Sequence, residues 1–181
     1  MKRTMRFLLP DQSVPSFDQL DIRSLKEQGI QILFVDIDNT ISAYADTACS
    51  LSASRFLKRV KAAGIEPVLF TNNTKKHVDT VLAGRPDTDL MTFCLKPSPI
   101  ALFRALRVRK LHPSQAAVLG DQLFTDMLCG RLAGARTILC GRVSQVERRD
   151  TSIMRFFENL AYTRMEKQGK IERRDGYVRI L

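Results

Sequence analysis

The sequence has no tryptophan and only two histidines, His77 and His112, both in polar or loop-like surroundings. A histidine-based zinc centre has little material to draw on. The four cysteines, Cys49, Cys94, Cys129 and Cys140, form no CxxC pair and no cysteine–histidine ligand pattern. A disulfide scaffold is thereby disfavoured, and reduced, mostly buried thiols in a cytosolic protein are expected. No apolar run approaches the ~18 residues needed to span a bilayer. The opening MKRTMRFLLP is basic, but its apolar stretch is far too short for a secretory signal. The expected location is therefore cytoplasmic. Internal repeats and low-complexity segments are also missing.

What is present describes a soluble globular chain. At 181 residues, with 44% apolar and 27% charged side chains, it is long enough for one domain with a proper core. The formal net charge is +10. Such an excess points to an anionic partner: nucleic acid, an acidic membrane surface or a phosphorylated substrate. Lys2, Arg3 and Arg6 meet no acid before Asp11, and Arg142 to Leu181 holds ten Lys/Arg against six Asp/Glu.

Between these ends, strands and helices alternate. IQILFV, PVLFTNN, MTFCLK, AAVLG and RTILC read as five strands. LSASRFLKRVKAAG, TKKHVDTVLAG, SPIALFRALRVRK and QLFTDMLCGRLAG read as the helices between them. This is the signature of βαβ units and an α/β fold, a three-layer sandwich around a mostly parallel five-stranded sheet. The expected division is an N-terminal arm over 1–29 with a short helix around SLKEQG, a core over 30–141, and a basic C-terminal extension over 142–181 that is part of the same domain.

The polar residues fall at strand ends. Asp36 and Asp38 follow the apolar run Ile32–Val35, Thr71 and Asn72 follow VLF, Lys96 follows FCL, and Asp121 follows VLG with Asp126 five residues on. In an open parallel sheet, ligands bind outside the carboxyl ends of the strands. Four strands therefore deliver paired acids, a hydroxyl, an ammonium and further acids to one rim. Two adjacent carboxylates repel and are costly to desolvate unless a cation joins them. Magnesium, which keeps several waters and needs only one or two carboxylates, suits Asp36 and Asp121. The chemistry such a set can perform is phosphoryl transfer, with one aspartate as nucleophile and another as general acid and base. Lys96 offers an ammonium to the phosphate, and Thr71 a hydrogen bond. Asn72 and Thr40 are expected to contact the substrate.

DIDNT, Thr71, Lys96 and GDQLFTD resemble, in order and spacing, the four motifs of the haloacid-dehalogenase (HAD) superfamily, over about residues 30–141. The resemblance implies that Asp36 is the nucleophile of an aspartyl-phosphate mechanism and Asp38 the general acid/base. It further implies that Thr71 and Lys96 contact the phosphoryl group, and that Asp121 and Asp126 hold Mg2+ together with Asp36 and the backbone carbonyl of Asp38. An Asp at the position of Asp38 favours a phosphatase over a dehalogenase. LLPD, the Thr71-Asn72-Asn73 run, Lys96-Pro97 and VLGDQLFTD are similar to the YqeG-type subgroup IIIA, related to the phosphatidylglycerophosphate phosphatases of phospholipid biosynthesis. The sequence departs from that pattern in the Ile41-Ser42-Ala43-Tyr44 run and in Thr71, where many members have Ser.

The gaps between Asp38, Thr71 and Lys96 hold only one helix-length segment each, so no lid domain is expected. An open site suits a phosphate carried by something bulky, such as a lipid headgroup. In the tail, Ile153, Phe156, Phe157, Leu160 and Ala161 recur at helical spacing among arginines. They form either a core-packing face or a peripheral anchor on an anionic membrane. Other openings remain: the Thr71–Asn73 run as a helix cap, a soluble nucleotide, sugar phosphate or phosphoprotein as substrate, and a basic nucleic-acid-binding protein on the same fold. The last is disfavoured, since KKH and RVRK lack interleaved aromatics.

Overall fold

The protein's structure, a computed structural model, describes residues 7–42, 51–76, 78, 88–143, 152–174 and 176–181, and the side chains of 152–154 fall outside that set. Lys2, Arg3, Arg6, Cys49, His77, the Ile153 side chain and most of the helix expected over 74–84 lie outside the described residues.

β2 (Ile32–Asp36) is buried at every position, as a strand covered on both faces must be. It pairs in parallel with β3 (Glu66–Phe70) on one side and with β5 (Ala116–Gly120) on the other. β6 (Arg136–Cys140) lies outside β5, and β4 (Asp89–Met91) outside β3. The outermost strand beside β6 is β1 (Gln12–Val14), so the sheet order is β1-β6-β5-β2-β3-β4. Among the described residues the sheet therefore has six strands, not the five expected. The sixth comes from the N-terminal arm and is too short, at three residues, to show an alternation. β4 covers 89–91, so most of the MTFCLK run is loop.

Successive β2 side chains point to opposite faces. Leu33 and Val35 join the core formed with α1 (Ile22–Glu27) and α2 (Leu51–Ala62). Ile32 and Phe34 join the core formed with α3 (Ile100–Arg109), α4 (Leu128–Ala133) and α5 (Ser152–Lys167). α2 shows why these segments are helical: Ala53, Phe56, Leu57 and Val60 are buried at spacings of three and four, and the chain leaves through Gly64 at φ 73°. The helix expected over QLFTDMLCGRLAG begins as a single π-helical turn, Leu123–Met127, before becoming α4. Beyond α5 the chain adds an antiparallel hairpin, β7 (Ile171–Arg174) with β8 (Tyr177–Ile180). Cys94, Cys129 and Cys140 are free and buried, and burial pushes the Cys129 thiol up to about 12, so these cysteines are inert packing groups.

The arm is stitched to the sheet edge through polar contacts. Asp11 accepts from both the backbone N–H and the hydroxyl of Thr137, each at 2.9 Å, and pairs with Arg131 at 3.0 Å. Gly141 then donates to Val14 O at 2.9 Å, with so little room that an added Cβ would lie 2.1 Å from Pro15 O. Gly141→Ala is expected to lower the urea midpoint by an amount corresponding to about 1–3 kcal/mol, because backbone must move to admit the methyl. An unchanged midpoint would mean that the arm is not held at this position.

Candidate active site

Asp36 ends β2, and Phe70, its register partner, ends β3, so the chain segments that follow both strands open onto the same edge of the sheet. After Asp36 the chain makes a tight loop. Thr40, Ile41 and Ser42 all donate backbone N–H groups to Ile37 O, and Asn39 N donates to Ser42 O at 2.8 Å. Asn39 sits at φ 61°, a left-handed conformation that asparagine tolerates better than most residues. This loop turns Thr40 back so that its hydroxyl donates to Asp36 Oδ2 at 3.1 Å. Thr40 is thus engaged with the Asp36 carboxylate.

After β3, Thr71 donates from Oγ1 to Asp38 Oδ2 at 3.1 Å, and Asn73 donates from Nδ2 to the same oxygen at 2.8 Å. Asn73 also donates its backbone N–H to Thr71 Oγ1 at 3.0 Å. The half-buried Asp38 carboxylate is therefore fixed by two donors from a different strand end. Asn72 faces the other way. Its Oδ1 accepts from Lys96 N at 2.7 Å and its Nδ2 donates to Lys96 O at 3.0 Å. The expectation put Asn72 at the substrate; the structure has its amide clamping the backbone of Lys96.

That clamp is part of a wider zipper. Thr71 N donates to Met91 O, and Cys94 N to Thr71 O, each at 3.0 Å. Phe93 and Leu95, on either side of Cys94, have φ of 50° and 54°. A non-glycine residue in this region costs roughly 1–2 kcal/mol, and two together mark a segment forced into shape by its surroundings. The result is that Lys96 enters the site buried. Its Nζ lies 2.5 Å from Asp36 Oδ1, 2.7 Å from Asp126 Oδ1 and 4.1 Å from the centroid of the Phe70 ring.

β5 delivers the remaining acids. Asp121 follows Gly120, and Asp126 lies on the π-helical turn, where its Oδ2 accepts from Gln122 N at 3.1 Å. Gly120 is required here for space: a Cβ would meet the Asp126 carboxyl at 2.4 Å. One carboxylate oxygen each from Asp36, Asp121 and Asp126 lies within 4.8 Å of the others, and all three residues are buried. Asp38 is not among these three. Asp121 Oδ2 is held by Arg155 Nη2 at 3.1 Å and Arg142 Nε at 3.4 Å, whereas its Oδ1 is buried with no hydrogen-bond partner among the described residues. A buried carboxylate oxygen left bare, on a residue grouped with two more acids, fits a divalent cation.

The electrostatics agree. Burial, reinforced by the Asp126 charge and opposed by Arg155, raises the Asp121 carboxyl to about 7. Burial also raises Asp36 well above the usual range, although Lys96 opposes it. For Lys96, burial favours the neutral amine, but Asp126 and Asp36 together outweigh it and the ammonium is strengthened.

Two residues of the site were missed in the sequence. Arg155 and Glu158 are buried on α5, where Arg155 Nη1 donates to Glu158 Oε2 at 2.8 Å and Leu123 N donates to Glu158 Oε1 at 2.6 Å. In sequence they are two more charges in a charged tail. Only the spacing of Arg155 and Glu158 with Tyr162 and Met165 marks them as one buried stripe.

Residues 93–151 match the HAD-hydrolase-like family. The chain is 27% identical over 168 residues to the protein named "Probable phosphatase YqeG" of Bacillus subtilis (strain 168), covering 92% of this chain and 96% of that one. These likenesses agree with the HAD-type resemblance read from the motifs. A second relative, the phosphoglycolate phosphatase of Psychrobacter arcticus, is 31% identical over 90 residues, 45% of this chain and 39% of that protein. The fold also matches the crystal structure of an uncharacterized protein from Listeria monocytogenes serotype 4b. That match has a TM-score of 0.52 at 15% identity, and covers 65% of this chain and 85% of that one.

The raised carboxyls make a stability prediction for the metal-free protein. A group whose folded pKa lies above its unfolded value binds the proton more tightly when folded, so it opposes folding once ionised. In EDTA, Asp121 should lower stability progressively as pH rises from about 4 to about 7, by at most ~1.4 kcal/mol per pH unit. Compared with the wild type, Asp121→Asn should be relatively more stable at pH 7 than at pH 5 by chemical denaturation. A constant difference at both pH values would contradict the raised carboxyl.

Proposed function

We propose that the protein is a magnesium-dependent phosphomonoesterase that works through an aspartyl-phosphate on Asp36 and acts on phosphate carried by an anionic lipid headgroup, phosphatidylglycerophosphate foremost. The observation that carries the reading is the buried contact of Asp36 with Lys96 beside Asp121 and Asp126, with Asp38 fixed on the neighbouring strand end.

In this mechanism an Asp36 oxygen forms a bond to phosphorus while the bond from phosphorus to the ester oxygen breaks, and Asp38 gives its proton to the departing alkoxide. Asp38, now ionised, takes a proton from water as the water oxygen attacks the same phosphorus. The bond to Asp36 then breaks, leaving inorganic phosphate and a free carboxylate. Thr71 and Asn73 keep Asp38 oriented for both transfers. Lys96, locked at its backbone by Asn72, sets the position of Asp36 and brings positive charge to the phosphoryl oxygens. Asp36, Asp121 and Asp126 would hold the divalent cation, which supplies the charge that keeps Asp36 ionised and offsets the phosphoryl group.

The lipid substrate is supported by the surface around Lys96. Phe93 and Leu95 are 60% and 72% exposed immediately before it. Ile100, Phe103, Arg104, Arg107 and Val108 form the exposed face of α3, a helix with no acidic residue. Of the tail residues expected either to pack or to anchor, Phe156 and Phe157 are 66% and 50% exposed, so the core-packing alternative is not what the structure shows for them. Exposed apolar side chains interleaved with arginines favour an anionic interface. No helix among the described residues is long and apolar enough to cross a membrane.

Asp36→Asn should fold normally and lose at least ~1,000-fold in kcat on any phosphate ester, because an amide neither attacks phosphorus nor binds the cation well. Wild-type turnover should vanish in EDTA and return with magnesium. Retained turnover in Asp36→Asn would overturn the nucleophile assignment.

The substrate is tested separately, with phosphatidylglycerophosphate in mixed micelles against p-nitrophenyl phosphate. Phe156→Ser with Phe157→Ser should leave the soluble ester untouched and reduce both the lipid rate and sedimentation with phosphatidylglycerol vesicles at low salt. Equal rates on lipid and soluble ester, with no vesicle binding at any salt, would remove the lipid substrate and leave the phosphatase.

A further inference from the structure

We propose that Arg155, from the C-terminal helix α5, is a positioning residue that determines which divalent cation the acidic triad accepts. The inference rests on the reading of Asp36, Asp121 and Asp126 as cation ligands, and it concerns a residue outside the segment that matches the hydrolase family, 93–151.

A carboxylate can ligate through one oxygen or through both. Calcium takes six to eight oxygens and readily uses carboxylates as bidentate ligands, whereas magnesium demands a tight octahedron and binds them through single oxygens. At Asp121 the choice is already made by the protein. Oδ2 is occupied by Arg155 Nη2 at 3.1 Å and Arg142 Nε at 3.4 Å, and only Oδ1 is left without a hydrogen-bond partner among the described residues. Asp121 can therefore offer one oxygen to a cation without giving up its ion pairs.

Arg155 can impose this because it is itself immobilised. Its Nη1 is bound to Glu158 Oε2 at 2.8 Å, one helical turn along α5. Glu158 spends its other oxygen on Leu123 N at 2.6 Å, the first residue of the π-helical turn that carries Asp126. One pair of side chains thus orients Asp121 and also fixes the turn that places Asp126. α5 is anchored in turn by Ala161, Tyr162 and Met165, all buried in the core. Neutralising the Asp121 charge alone would not need so constrained a contact: it would be satisfied by a flexible cation at the surface, and it would affect every divalent ion alike.

That difference is the test. Magnesium and calcium binding to the full chain are measured by titration calorimetry, with thermal unfolding by circular dichroism as the check on folding. In wild type, magnesium should bind more tightly than calcium. Arg155→Met, which keeps much of the side-chain length but leaves Oδ2 only the longer contact to Arg142, should lower the magnesium-to-calcium affinity ratio about tenfold, mainly by improving calcium binding. Arg155→Lys, which keeps one donor for Oδ2, should hold most of the wild-type ratio. If Arg155→Met does not fold, Glu158→Gln loosens Arg155 at nearly constant shape and should move the ratio in the same direction by a smaller factor.

An unchanged ratio, with both cations weakened equally, would overturn the inference and leave Arg155 as scaffold. If wild type binds neither cation, it is the metal reading of the triad that fails, and the inference goes with it.

Discussion

The Lys96 ammonium is the contact on which the site depends. Three buried carboxylates within 4.8 Å of one another repel, and each has lost its hydration. Lys96 touches two of them, Asp36 and Asp126, while its ammonium lies over the face of Phe70. Removing one partner from a buried ion cluster typically costs about 3–5 kcal/mol, because the others are left uncompensated. Much of the local backbone can be understood as the means of delivering this one cation. The left-handed conformations of Phe93 and Leu95, the hydrogen bonds from β3 to the 91–94 segment, and the Asn72 amide on the Lys96 backbone all serve to present it buried.

Much of this was legible in the sequence, and the limits have physical causes. The β2, β3, β5 and β6 runs are continuous apolar stretches, which is how strands covered on both faces read. Asp36 and Asp121 were legible because a charged residue at the end of such a run has few reasons to be there, whereas Lys96 lies in the loop beyond β4. β1 was not legible, since three residues carry no period and its partner strand lies far along the chain, Gln12 pairing with Ile138. The role of Asn72 was hidden because a clamp on the backbone of Lys96 leaves no trace in residue type. The need for Gly120 was hidden as well, since it makes room for the Asp126 carboxyl, which meets it only in the fold.

The C-terminal helix shows how reading apolar residues alone misleads. Phe156, Phe157 and Leu160 are its most conspicuous side chains, and they lie outward. The stripe that enters the protein runs through Arg155, Glu158, Tyr162 and Met165, and half of it is charged. Burying an arginine and a glutamate is unfavourable unless they are paired and hydrogen-bonded. Here they are paired with each other, with Asp121 and with a backbone N–H of the π-helical turn. A buried polar stripe of that kind carries no hydrophobic signature, so spacing is its one trace in the sequence and the partners explain it.

These pairings divide the acids of the site in a way that bears on catalysis. Asp36 and Asp126 share Lys96, Asp38 is held by neutral donors from Thr71 and Asn73, and Asp121 is held by guanidinium groups on one oxygen. Fixed cations keep the neighbouring carboxylates in place when their charges would drive them apart. The net charge of +10 therefore does not oppose an acidic site. Part of it, at Lys96, Arg142 and Arg155, is what allows the carboxylates to be buried together at the sheet edge, and the exposed remainder draws an anionic ester toward them.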